Sequence, residues 1–488
     1  MNQVYKVIPS ILKKSDILSK KSFSSKDYVT LVPVNKSVKL KDMVDYKTGD
    51  SFLRGDFITP DVSKKYRYIR TGNISQYRIL LNLNPVQYCK PRGSNDLLDG
   101  DILVAKDGGS SGLGEVSFYI KTDSDITDYF CGEILRLRVN SEYNKWYILA
   151  VLKSKYFKDY LDIVTPGGST LRHSKLLALN FELPYDEDTR KEDIEYIGKL
   201  MQNLIHKERT LEKKVKEIDN IFDCEINGQF SINTDNSKIY PKISKIKEIN
   251  RLDTGAYMGE YVVLEEKVKN YRGGYYYIPI ESISPGKTPP DYKYTDNKLF
   301  NTFLWITPKN LNPKELIFKT YINTKEKTKV SDYSVIISAI RYLGNGYFVD
   351  KGEIVYCNQN TLIINYSNDI KEQIYLLAFL TSEIGKKLQM AWRVDGMVPI
   401  LYREDLSKIP IPKIQDDTKM KICGLYYNEC KVNENVNREN YLDIVKDRNS
   451  KLGIYQLNSE ILYLKTKINQ LVDNIIMNTT IECNYNVM

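Results

Sequence analysis

Few residues in this chain have the types and spacing that covalent chemistry needs. Gly286-Lys287-Thr288 has the look of the end of a nucleotide-binding P-loop. That motif requires another glycine five residues before Gly286, where Glu281 stands, and a helix after it, which Pro289 and Pro290 forbid. Pro290-Asp291 begins like a nuclease signature, but no Glu-x-Lys or Asp-x-Lys partner follows on a clear strand. The two histidines are His173 and His206, and the seven cysteines form no Cys-x-x-Cys pair. Neither a zinc site nor a disulfide framework is expected. There is no Asn-Pro-Pro-Tyr or Asp-Pro-Pro-Tyr tetrapeptide and no glycine-rich cofactor loop. We therefore assign no catalytic residue, no metal ligand and no cofactor to the chain itself.

What remains is binding chemistry. Gly167-Gly168-Ser169-Thr170, with Arg172 and His173, offers backbone and hydroxyl donors to a phosphate. The competing reading is a plain helix-to-strand turn that needs glycine at positive φ. Arg70, Thr71 and Asn73 sit on a polar turn; arginine pairs with guanine and asparagine with adenine in a major groove. The alternative is a solvated turn. Lys106 closes one apolar strand and Arg341 closes the comparable strand later on, either as phosphate contacts or as surface cations. Lys287 and Thr288 follow Gly286, and Arg393, Tyr402 and Arg403 flank a second loop at Gly396. The net charge of +9 and the 38 tyrosines suit a polyanion partner without requiring one.

The elements that would position these residues follow from hydrophobic periodicity. At 488 residues, two to four domains are expected. No apolar run approaches the roughly 20 residues of a membrane span, and residues 1–14 lack the features of a secretory signal, so a cytoplasmic location is expected. Residues 1–37 read as an N-terminal extension with one or two strands. From 38 to 185 the pattern is strands and turns, with apolar strands at 101–106, 116–120 and 133–139, closing on a helical stretch at 147–161. An acidic cluster at 186–193 then opens a long helix to about 226, suiting a helix N-terminus. Its seam is Ile197, Met201, Leu204, Leu211, Val215, Ile218 and Phe222, with Glu208 a polar interruption. Strands and turns return from 227 to 415, including strands at 278–283, 303–307, 335–340 and 347–349. A C-terminal helical region, 416–488, carries the cleanest heptad: Leu457, Ile461, Leu464, Ile468, Leu471 and Ile475.

The chain is built twice. Tyr147-Ile-Leu-Ala-Val-Leu-Lys-Ser154 lies on Tyr375-Leu-Leu-Ala-Phe-Leu-Thr-Ser382 at an ungapped offset that carries Gly168 onto Gly396 and Pro184 onto Pro412, with eight of 38 positions identical. Identities at that level need not mean common descent, but helix, loop, strand and long helix recur in one order, which does argue for duplication. The two loops differ: Gly168-Ser-Thr-Leu171 is polar, whereas Gly396-Met-Val-Pro399 is apolar. The expected fold class is α+β: two pseudo-repeated α/β domains separated by two long helices that pair as an antiparallel coiled coil. Such a rod would hold the domains a fixed distance apart; at a separation of ~34 Å, one turn of duplex, both could read the same face.

This order, with Ile69-Arg-Thr-Gly-Asn-Ile74, Gly100-Asp-Ile-Leu-Val104, Gly168-Ser-Thr170, Arg251-Leu-Asp253 and Ser284-Pro-Gly-Lys-Thr288, resembles the specificity subunit of type I restriction–modification systems. The resemblance implies two target-recognition domains, 38–185 and 227–415, that bind the halves of a split double-stranded DNA target through residues such as those named above. It implies a chain that is not itself an enzyme. Two methyltransferase subunits, using S-adenosylmethionine, would dock on the helices, and restriction subunits would bring ATP and magnesium. The rivals are the recognition subunit of a split-site type II system, a stand-alone nuclease and a coiled-coil scaffold.

Overall fold

The computed structural model describes residues 6–7, 9, 11–20, 28–32, 36–58, 65–75, 86–90, 97–109, 112–121, 125–166, 172–228, 246, 257–295, 302–326, 329–394, 396–431 and 435–486. The chain divides into two compact units. Unit 1 comprises residues 1–209, 434–446 and 463–488, and unit 2 comprises 210–433 and 447–462. Helices and sheets are both abundant in each, so the fold is α+β.

Each unit is built on two four-stranded sheets with the same connectivity. In unit 1 the first sheet runs Val116–Phe118, Ile102–Ala105, Ile134–Val139, Val44–Thr48, all antiparallel. The second runs Thr127–Phe130, Tyr66–Ile69, Tyr88–Cys89, Phe57–Ile58, and its first pair is parallel. In unit 2 the first sheet runs Gly346–Phe348, Val335–Ser338, Thr361–Ile364, Ile283–Pro285. The second runs Val355–Cys357, Phe303–Ile306, Thr320–Asn323, Lys293–Thr295, again with a parallel first pair. Strand for strand, these two pairs of sheets have one topology.

The apolar strands are buried on both faces, which is why they read as continuous hydrophobic runs. Ile102, Leu103, Val104 and Ala105 are fully buried, as are Val335, Ile336 and Ile337. In unit 1 the core gathers Ile69, Leu103, Phe130 and Ile134, with Phe52 and Phe57 packed against it. In unit 2 it gathers Ile306, Ile336, Val349 and Val355. At about 25 cal/mol per Å² of apolar surface, burying one such side chain contributes roughly 2 kcal/mol.

The helical stretch at 147–161 proves to be two helices, Lys145–Leu152 and Lys155–Val164. The break falls at Lys153-Ser154, where the Ser154 hydroxyl donates to the Val151 carbonyl, competing with the helical ladder. The same break recurs between Ile370–Leu380 and Glu383–Trp392, where Ser382 donates to the Phe379 carbonyl. Two other expectations differ in detail. The stretch 278–283 is mostly a 3₁₀ turn, Ile280–Ser282, with the strand beginning only at Ile283; Pro279 has no N–H to give a ladder. In the N-terminal extension, strands Lys6–Val7 and Thr30–Leu31 pair, but a helix at Lys14–Lys20 lies between them.

The long helix spans Glu187–Asn227, with a break from helical geometry at Arg190 (φ −126°, ψ 23°). Within unit 1 it lies antiparallel to the C-terminal half of the helix Ile454–Ile476. Arg190 donates to the Thr479 carbonyl, Lys467 stands over the Tyr196 ring, and Lys465 pairs with Glu208 at 2.5 Å. Residue numbers rise on one helix as they fall on the other. Glu208, read as a blemish in the seam, is therefore the partner of a lysine on the facing helix. Ile197, Leu204, Leu464, Ile468, Leu471 and Ile475 are all buried in this unit. In unit 2, Leu211, Ile218, Leu457 and Ile461 are buried and Val215 is half-buried. There Phe222 packs edge-on to Phe379 and tilted on Tyr375, against the helix Ile370–Leu380.

Candidate nucleic-acid interface

Strand register gathers the candidate residues of each unit at one end of its sheets. In unit 1, Ala105 pairs with Ile134 and Leu135 with Thr48, so Lys106, Glu133 and Gly49 follow one another along a rim. The Lys106 N–H donates to the Glu133 carbonyl and the Gly49 N–H to the Ile134 carbonyl. The parallel pair of the second sheet ends with Ile69 opposite Phe130, and Cys131 donates its N–H to the Ile69 carbonyl. This brings the turn of Arg70 and Thr71 to the same rim. Burial, then Glu133, pushes the Cys131 thiol up to about 12, so it is no nucleophile at neutral pH.

The turn Thr71–Asn73 is a 3₁₀ turn capped by its own asparagine: Asn73 Oδ1 accepts the Arg70 N–H at 2.9 Å. The Arg70 side chain is exposed, with a long 3.4 Å contact to Gln87. In unit 2 the turn Pro308–Asn310 repeats this device, and Asn310 Oδ1 accepts the Thr307 N–H at 2.9 Å. Asn310 is buried and also donates to Phe318 and Thr320. The shared role of the two asparagines is thus to build the turn, while Arg70 is the member that faces solvent. Thr307–Asn310 carries no sequence signal of this equivalence, because only the asparagine is common to the two turns.

Lys106, Arg172 and His173 come together around Asp107. Arg172 and His173 form a short strand opposite Gly108 and Asp107. Lys106 Nζ lies 3.0 Å from Asp107, and His173 Nδ1 lies 3.4 Å from the other carboxylate oxygen. Arg172 is buried and bonded to Asp162 at 2.5 Å, tying the end of the loop to the helix Lys155–Val164. Beside His173 lies a groove of about 520 Å³ lined by Lys41, Tyr46, Lys175, Leu176 and Asn180 among others. The candidates Gly168, Ser169 and Thr170, with Gly167, lie outside the described residues, as does Arg251-Leu-Asp253.

In unit 2 the rim has the same plan. Gly286 donates its N–H to the Thr361 carbonyl, and Ala339 donates to the Asn360 carbonyl. Gly286 must be glycine: an added Cβ would lie 2.1 Å from the Asn358 carbonyl oxygen. Gly49 is its counterpart in unit 1, where a Cβ would meet the Phe130 carbonyl oxygen at 2.1 Å. Lys287 is exposed, 3.7 Å from Glu326, and Thr288 donates to Gln359 at 2.5 Å. Arg341 is exposed in a left-handed conformation (φ 67°), which aims its N–H at the Pro399 carbonyl, 3.0 Å away. Tyr402 and Arg403 are exposed nearby in sequence, Arg403 beside Glu404 at 2.8 Å, and Arg393 donates to the Met390 carbonyl. Lys287, Thr288 and Arg341 thus meet at one sheet end, with the 393–403 loop against Arg341. Tyr342 and Gln359, also at this end, were not singled out from sequence.

Among the described residues, no group of three or more His, Cys, Asp or Glu is placed to hold a metal ion. Among them, too, no helix is long and apolar enough to cross a membrane.

No family model matches the sequence, and no curated protein matches it. Solved structures do. The S subunit of a type I restriction–modification system from M. genitalium is similar at 12% identity and TM-score 0.41, over 91% of this chain and 96% of that one. The HsdS subunit from Thermoanaerobacter tengcongensis is similar at 13% identity and TM-score 0.24, over 90% and 96%. The type IIG restriction endonuclease BpuSI matches at 13% identity and TM-score 0.27, over 48% of this chain and 35% of that one.

Proposed function

We propose that this chain is the sequence-recognition subunit of a type I restriction–modification assembly, binding a bipartite duplex target without carrying out catalysis. The observation that carries the reading is the duplicated unit. Two units built on one sheet topology each gather basic and polar residues at the same end of their sheets: exposed Arg70 and the largely buried, Asp107-paired Lys106 in one, exposed Lys287 and Arg341 in the other. Phosphate contacts by such cations position a protein on DNA, and base contacts from neighbouring turns specify sequence. Two such readers in one chain fit a target in two halves.

The long helices support the second part of the proposal. The antiparallel pair in unit 1 offers a surface for two methyltransferase subunits, which would supply S-adenosylmethionine chemistry; restriction subunits would supply ATP-driven steps with magnesium. In this reading the protein works in the cytoplasm, where its DNA is.

Salt-dependent binding of mixed-sequence duplex tests the reading. The expected result is an affinity that falls steeply between about 50 and 200 mM salt. Absence of salt-sensitive binding, alone or with a co-purifying methyltransferase, would favour a scaffold, and cleavage by the purified chain with magnesium alone would favour a nuclease.

A further inference from the structure

The apolar second loop has no place in a scheme of phosphate and base-edge contacts. Its geometry is that of a small, firmly held hairpin. Val394 and Ile400 exchange two backbone hydrogen bonds, of 2.7 and 3.1 Å. Ile400 also bridges to Ile340, Arg341 donates to Pro399, and Leu401 donates to the Ala339 carbonyl. The base of the hairpin is thereby fixed to the end of the strand Val335–Ser338. At its tip Met397 is fully exposed, and Val394 at the base is exposed as well.

One exposed apolar residue needs no explanation, but this one is framed. Arg341 is tied to the hairpin through its N–H, half-buried Arg393 precedes it and exposed Arg403 follows it in sequence, with Tyr342 and Tyr402 exposed next to two of them. Lys408 stands over the Trp392 ring, 5.3 Å from its centroid. The acidic groups here are Glu404, beside Arg403, and Asp405, 3.6 Å from Lys408; Asp395 lies outside the described residues. A flexible apolar side chain on a hairpin whose base is held to the sheet end and flanked by cations is complementary to a duplex. The cations hold the backbones while the apolar group enters the stack between two base pairs. The corresponding loop of the first repeat, Gly168-Ser-Thr-Leu171, has serine in place of Met397.

We propose that Met397 is a wedge that the second unit inserts between base pairs of duplex DNA, unwinding one half of the target and not the other. This rests on the duplex-binding reading above and adds a specific deformation to it. Prying apart one base step lowers the local twist. The test is to bind the full-length chain to nicked circular plasmid DNA, seal the nick, remove the protein and resolve the topoisomers. Filter binding of the same plasmid measures affinity in parallel.

The wild-type chain should shift the distribution to lower linking number. M397A and M397S should lose most of that shift while keeping affinity within about threefold, since the phosphate contacts remain. M397L should keep it. An unchanged shift in M397A, or a wild type that binds plasmid with no shift, overturns the wedge but leaves duplex binding standing. A wild type that does not bind plasmid overturns both.

Discussion

The Tyr147 hydroxyl donates a 2.7 Å hydrogen bond to the Pro184 carbonyl, joining the first buried helix of one unit to the strand that ends it. Tyr375 does the same to Pro412, 228 residues later in both cases. Both phenols are fully buried, and burial drives their pKa up. The bond fixes where each unit closes before a helix begins. Tyr147→Phe and Tyr375→Phe should each leave a buried carbonyl short of a partner, at a cost of about 1–3 kcal/mol. Chemical denaturation would measure this. Similar losses at both positions are expected; a loss at only one would mean that the equivalence is geometric but not energetic.

Asn73 and Arg70 should separate stability from binding. Asn73→Ala removes the cap of the turn, and Asn310→Ala removes its buried twin; the second should be the costlier, at roughly 1–3 kcal/mol. Arg70→Ala should leave the melting temperature within about a degree but weaken duplex binding and reduce its salt slope by about one. Calorimetry and a salt titration check the two arms. A destabilised Arg70→Ala would make Arg70 part of the turn's framework.

The pair Glu208 and Lys465 should fix the register of the helices in unit 1. Lys465→Glu places two carboxylates together in a largely buried seam, with an expected loss of roughly 1–3 kcal/mol. Adding Glu208→Lys should restore most of it. Failure of the double exchange to recover stability would mean that the pair does not interact specifically.

Lys314 gives unit 2 a dependence on alkaline pH. Its ammonium is fully buried, 3.1 Å from Asp219 and 3.0 Å from the Thr381 carbonyl. Burial lowers its pKa from 10.5 and Asp219 opposes the shift. Between the folded value and 10.5 the unfolded chain holds more protons, so stability rises with pH through that interval. Below it Lys314 is charged in both states and its contribution is flat. Lys314→Met with Asp219→Leu should abolish the rise, while Lys314→Met alone should cost about 3 kcal/mol by stranding the carboxylate. Unfolding free energies from pH 7 to 10 would check both; a wild type and double variant with parallel profiles would contradict the assignment.

The sequence made the duplication legible where the chain keeps one offset, from Tyr147 to Pro184 and from Tyr375 to Pro412. Buried helices tolerate little insertion, so spacing survives there. Ahead of them the offset drifts: Asn73 matches Asn310 and Gly49 matches Gly286, both 237 residues apart. Turns between strands absorb insertions, and with only a glycine or asparagine in common these pairs were invisible without strand pairing. Periodicity found the seam of the long helices, yet it could not show that Glu208 had a partner on another helix. Nor could composition show that Arg172, a plausible phosphate ligand, is spent on Asp162. Hydrogen bonds between distant segments decide such roles.

The central claim is that two independent readers share one chain. The strand Ser37–Lys39 pairs with Glu182–Pro184, so an exchange of residues 37–185 moves the proposed first reader with both strands of its closing pair. The most direct measurement replaces that segment with the corresponding domain of another recognition subunit, in a host that also expresses the methyltransferase, and maps methyladenine across the genome. One half of the methylated motif should change and the other half and the spacer should stay. A change in both halves, or a motif untouched by the exchange, would contradict the account.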